Sequence, residues 1–88
     1  MFQKVERFVT ADGKADVRAM VYRAMEYGNP AGDHRGWYTA YNETVSLIEE
    51  RFAEGRQWVE YDWRFNVGTY GSYVFKVDGT IDGIYSFL

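Results

Sequence analysis

Gln57, Trp58, Val59, Glu60, Tyr61, Asp62, Trp63, Arg64 and Phe65 follow one another with a period of two, and few backbones suit such a run. In an extended chain successive side chains point to opposite sides, so Val59, Tyr61, Trp63 and Phe65 share one face while Trp58, Glu60, Asp62 and Arg64 share the other. The first set is apolar throughout, and the run reads as a half-buried strand. Tyr73, Phe75 and Val77 repeat the alternation, Asp78-Gly79 supplies residue types that tolerate positive φ in a tight hairpin turn, and Ile81, Gly83, Tyr85 and Phe87 follow. Residues 56–88 are therefore predicted to form an antiparallel three-strand meander with one apolar face.

A change of period marks the elements upstream. Val17, Met20, Val21, Ala24 and Met25 fall at helical spacing behind Asp16, a good N-cap residue, and predict an amphipathic helix of about three turns. It must stop at Gly28-Asn29-Pro30, where the only proline of the chain forbids continuation. Residues 28–36 then read as a loop. From Trp37 or Thr39 to Ala53, Tyr41, Val45, Ile48 and Phe52 line one side of a second helix, Glu43, Glu49, Glu50 and Glu54 line the other, and Gly55 closes it. Residues 2–10, with Val5, Phe8 and Val9, read as an imperfect strand ending at the Asp12-Gly13 turn signal. The expected fold is α+β: an antiparallel three- to four-stranded sheet with two helices packed on one face, in the order β-α-α-β-β-β. Each apolar stripe then has a partner layer, and the opposite sheet face stays open.

The 88 residues are one domain, 1–88, too short for two cores. Aromatic residues make up 19% of them, more than a core of this size encloses, so some ring surface must face water. The absence of cysteine rules out disulfides, thiolate metal sites and cysteine nucleophiles, and the expectation is an intracellular, cytoplasmic setting. No apolar run is long enough to span a bilayer and no signal-peptide pattern opens the chain, so no membrane partner is expected. The net charge of −3 is unevenly spread, with a balance of +1 over residues 1–36 and −4 over residues 37–88. That sign disfavours direct binding to nucleic acid, which needs a basic footprint.

Motifs for chemistry fail one by one. His34 is the only histidine, in Asp33-His34-Arg35, and no orienting acid and nucleophile stand at useful spacing from it. One histidine with scattered carboxylates gives no transition-metal set, and Asp12, Asp33, Asp78 and Asp82 do not match a calcium loop. The glycine-containing segment 66–72 lacks the Gly-Lys-Ser/Thr ending of a phosphate loop and leads into a strand rather than a helix. Ser46, Ser72 and Ser86 have no nucleophile elbow around them. No catalytic residue, cofactor or metal is expected, and the chain reads as a non-enzyme.

What remains is a surface. If the apolar face of residues 57–65 lies under the helices, Trp58, Glu60, Asp62 and Arg64 look outward, joined by Thr80, Asp82, Ile84 and Ser86 of the last strand, with Val74 and Lys76 between them. An aromatic anchor in a negative field suits a partner with a basic surface, the ring supplying affinity and the charge steering. Trp58, Glu60, Asp62 and Asp82 are the expected partner-binding residues, with Asp33, His34, Arg35 and Trp37 of the 28–36 region as a second patch. A normal solvated sheet face, in which crossed charges maintain solubility, accounts for the same pattern.

Phe8-Val9-Thr10-Ala11-Asp12-Gly13-Lys14 followed by a helix resembles the start of many small accessory proteins encoded by bacteriophages. The resemblance implies a stoichiometric inhibitor or modulator of host machinery such as CRISPR, restriction or transcription complexes, working in the bacterial cytoplasm. The expected function is thus an acidic protein-binding module that occludes a basic surface of a larger, nucleic-acid-handling host protein or complex. The alternatives are a homo-oligomer, such as a homodimer, formed through the open face or a strand edge, and a small ligand-binding protein or enzyme with a pocket between helices and sheet.

Overall fold

The computed structural model describes residues 6–26, 34–64 and 69–87. Helix α1 spans Val17–Met25, and Asp16 caps it by accepting the Ala19 amide at 3.2 Å. Its buried residues are Val17, Met20, Val21, Ala24 and Met25, the stripe that the helical spacing predicts. Helix α2 spans His34–Ala53. It ends in a Schellman closure, with the Arg56 amide reaching the Arg51 carbonyl at 3.1 Å and the Gly55 amide reaching Phe52 at 3.0 Å. Gly55 takes φ +97° there, which an L side chain adopts only with strain.

Strands β1 (Trp58–Arg64), β2 (Thr69–Lys76) and β3 (Ile81–Phe87) form an antiparallel sheet in the order β1-β2-β3. Val59 pairs with Phe75 and Phe75 with Ile81, while Tyr61 pairs with Tyr73 and Tyr73 with Gly83, so one sheet face carries the rings into the core. Both helices lie on that face, α2 against β1 and α1 against β3. Phe75, Met20, Met25 and Ile48 are fully buried where the layers meet. Gly83 leaves room for its neighbour: a Cβ there would come within 2.7 Å of the Tyr73 ring.

Two expectations change. Residues 34–36, predicted as the end of a loop, are the first turn of α2. A glycine inside a first turn costs only about 1 kcal/mol, and the earlier start brings Trp37 one turn above Tyr41, where the two rings stack with centroids 5.4 Å apart. Residues 28–33 of the same segment lie outside the described residues. The predicted first strand is, among the described residues, a single bridge between Val9 and Ala15, so the described sheet has three strands and the described element order is α-α-β-β-β.

The reason lies in the Asp12-Gly13 turn. It folds the chain straight back, with the Thr10 amide on the Lys14 carbonyl at 2.8 Å and the Gly13 amide on the Thr10 carbonyl at 2.9 Å. The segment then docks on the β2–β3 turn instead of running along a strand: the Phe8 amide donates to the Gly79 carbonyl at 2.8 Å and Arg7 Nε to the Asp78 carbonyl at 2.8 Å. The β2–β3 connection is the tight hairpin turn that Asp78-Gly79 signals, of the three-residue kind. Lys76 and Thr80 close it at 3.0 Å, and Gly79 alone takes positive φ, at +90°.

Candidate functional site

Alternation in β1 places Val59 inside and leaves Trp58, Glu60 and Asp62 exposed on the far side of the sheet. The register assembles three rows across that outer face. Trp58 stands beside Lys76, Glu60 beside Val74 and Val74 beside Asp82, and Asp62 beside Ser72. Strands are about 4.8 Å apart, so Glu60 and Asp82 flank the half-buried Val74 with carboxylates two strand spacings from each other.

Lys76 is the cation among these side chains, and its Nζ lies 2.9 Å from Asp82 Oδ2. Its ammonium is held above the ordinary lysine range by the hydrogen bond and charge of Asp82. Asp62 Oδ1 accepts the Ser72 hydroxyl at 2.7 Å. Glu60 has no ion-pair partner among the described residues, so its charge is available to a partner. Trp58 keeps 53% of its surface exposed, next to Val77 at 39%. Together with Gln57, Lys76 and Asp78 they line an open cleft of about 270 Å³ at the turn end of the face.

The turn itself is fastened by Asp78, whose Oδ1 accepts the Thr80 hydroxyl at 2.6 Å and the Thr80 amide at 3.0 Å. The Thr80 hydroxyl bond, foremost, holds the Asp78 carboxyl below its usual range, and the Thr10 hydroxyl does the same for Asp12 in the matching turn. A carboxyl depressed in the folded state contributes stability above its unfolded pKa and loses it as pH falls through the folded value. We therefore expect the melting temperature to decline below about pH 4, and a Thr80→Val protein to decline less steeply over the same range. Equal slopes for the two proteins in acid melts would separate the turn from the acid response.

The sequence-derived residues divide between two places. Trp58, Glu60, Asp62 and Asp82 share the outer sheet face as expected. Trp37 lies on the helical side, half-buried against the core and enclosed by rings: it meets Tyr22 edge-on at 5.4 Å, Tyr38 at 5.2 Å and Tyr41 stacked at 5.4 Å. His34 and Arg35 contribute their backbone to the first turn of α2, and Asp33 lies outside the described residues. Of the second patch, the described side chain, Trp37, does not share the face that carries the first.

Sequence reasoning missed the exposed Tyr22 and Tyr38 beside Trp37, and it missed Gln57, Val77 and Asp78 as walls of the Trp58 cleft. The spacing of Trp37 and Tyr41, one turn apart on a helix, was the available signal for the ring cluster. No comparable signal existed for the cleft, because Val77 has the strand period of an inward residue and only the three-residue turn rotates it out.

Among the described residues no group of three histidine or acidic side chains could hold a metal ion, and no helix is long and apolar enough to cross a membrane. Comparison of the chain with protein-family models, with curated proteins and with solved structures finds no match, so the functional reading rests on the geometry.

Proposed function

We propose that the protein is a non-enzymatic binding module whose outer sheet face engages a basic surface of a larger protein. One observation supports this above the others: among the described side chains of a sheet face that neither helix covers, a half-exposed tryptophan stands with three carboxylates and one compensated lysine. Solvent alone would be served by a face of small polar residues. An exposed indole supplies the apolar area that concentrates binding energy, and the surrounding charge directs approach and register. The same charge opposes pairing of this face with its own copy, since a two-fold interface would bring together two patches that each carry Glu60, Asp62 and Asp82.

The class of partner follows from what basic surfaces do. Channels that hold nucleic acid are basic, and an acidic face of this size would compete with phosphate for them. With the resemblance of residues 8–14 to small phage accessory proteins, the reading becomes steric and electrostatic occlusion of a nucleic-acid-handling host complex.

The test is charge reversal. The double variant E60K/D62K, titrated against a basic octapeptide between low and moderate salt, should bind roughly tenfold more weakly than the parent chain and should lose most of the salt dependence. Its melting temperature should stay close to the parent value, because both side chains are exposed. Undiminished binding, or a melt that collapses while binding persists, would remove the outer face from the interface. Sedimentation of the parent chain as a salt-insensitive dimer would assign the face to a second copy instead.

A further inference from the structure

We propose that the cleft beside Trp58 receives an arginine side chain of the basic partner, the guanidinium lying flat on the indole. This rests on the reading of the outer face given above and specifies its chemistry. At about 270 Å³ the cleft falls below the roughly 300–1,000 Å³ of pockets that enclose whole small molecules. It has room for one long side chain.

Its walls are of two kinds. Trp58 and Val77 are the exposed apolar residues of the lining, and Gln57, Lys76 and Asp78 are its polar ones. Lys76 would repel an incoming cation, but Asp82 compensates its charge at 2.9 Å, and Glu60 adds a further carboxylate in the next row. An indole face with carboxylates at its border is the environment that attracts a cation over a ring.

Arginine suits this place better than lysine. The guanidinium is planar, weakly hydrated and stacks, while its N–H groups remain free to reach acceptors in the ring plane. An ammonium keeps its water and meets the ring only as a point charge. An acidic side chain would meet Asp78 and Glu60, and an apolar one would cover the polar lining without pairing it.

The experiment uses the full chain and four end-blocked octapeptides of one design, carrying arginine, lysine, citrulline or norleucine at alternate positions between glycines. Affinity is measured by calorimetry or anisotropy, and the indole N–H resonances, assigned with Trp58→Phe, are followed by NMR. The arginine peptide should bind at least about threefold more tightly than the lysine peptide, shift the Trp58 indole signal, and exceed citrulline and norleucine by more. Trp58→Ala should abolish the preference for arginine over lysine, because it lowers arginine affinity more than lysine affinity; the exposure of the ring keeps this variant folded, which its melt verifies.

Equal binding of arginine and lysine by the parent chain, or a preference retained in Trp58→Ala, overturns the cleft assignment. So does equal binding of citrulline, or tightest binding of norleucine. If both cationic peptides bind equally, with an affinity that falls in E60K/D62K, the acidic face stands and only the cleft is lost. If neither cationic peptide binds at low salt, the acidic face itself fails.

Discussion

Replacing Gly79 by alanine is expected to destabilise the fold by about 2–4 kcal/mol, although the residue lies in a surface hairpin. Two costs combine. The backbone at this position has φ +90°, a conformation that a side chain tolerates poorly, and a Cβ would stand 2.4 Å from the carbonyl oxygen of Phe8. That oxygen belongs to the backbone of a segment fixed on both sides, since the same carbonyl accepts the Asp16 amide at 2.9 Å and the Phe8 amide is bound to Gly79. It cannot turn aside as a flexible side chain would. Relief requires residues 6–8 to lift off, with loss of the Phe8 amide bond. Urea titration should show a lower midpoint at nearly unchanged slope, and Gly13→Ala supplies the control. Gly13 has a similar φ of +82° but no atom within 4 Å of a built Cβ, so it incurs strain without the clash. Equal losses at the two glycines would show that the Phe8 contact contributes nothing.

The second large effect is expected at Phe75, where truncation to alanine should cost about 3–5 kcal/mol. The ring is fully buried, stands between Val59 and Ile81 across the strands, and lies with its centroid 6.3 Å from that of Tyr73. Among the described residues it is the largest of the fully buried side chains, at the level where both helices meet the sheet, so the surroundings have little freedom to close a void. A domain of this length holds roughly 5–15 kcal/mol in total, and the variant should show a measurable unfolded fraction at the upper end of the physiological temperature range. Phe75→Leu keeps most of the apolar volume and should lose about 1–2 kcal/mol. An alanine variant as stable as the leucine one would mean that the core rearranges to fill the gap, contrary to the close packing described.

How much of this was legible in the sequence depended on the kind of signal. Period carried well: the five buried residues of α1, the inward Val59 and Tyr61 and the outward Trp58, Glu60 and Asp62 follow from spacing alone, because a wrong register would expose every apolar side chain at once, while Phe65 lies outside the described residues. Turn residues carried less. Asp12-Gly13 and Asp78-Gly79 mark their turns correctly, but the dipeptide does not tell a two-residue from a three-residue connection. Gly36 read as punctuation and hid the first turn of α2, since a single glycine near a helix end is tolerated. Thr44 escaped the core altogether: it is fully buried, and its hydroxyl is satisfied within the helix by the Ala40 carbonyl at 2.7 Å. For the candidate site, the facing of Trp58, Glu60, Asp62 and Asp82 was legible and the cleft was not. Facing is a property of the strand, whereas the cleft arises where a turn from one hairpin meets a ring from another strand.

The bond from Arg7 to the Asp78 carbonyl, 71 positions along the chain, sets an order on assembly. Helix pair and meander are made from neighbours in sequence, and each can gather without help from residues 6–8. The latch between residues 7–8 and 78–79 has nothing to hold until the last hairpin has turned, and tying so long a loop before its contents are compact would sacrifice chain entropy for two hydrogen bonds. It is therefore expected to close last and open first. Hydrogen exchange at the Phe8 amide would then act as a sentinel for the described elements, losing protection before the amides of the meander do.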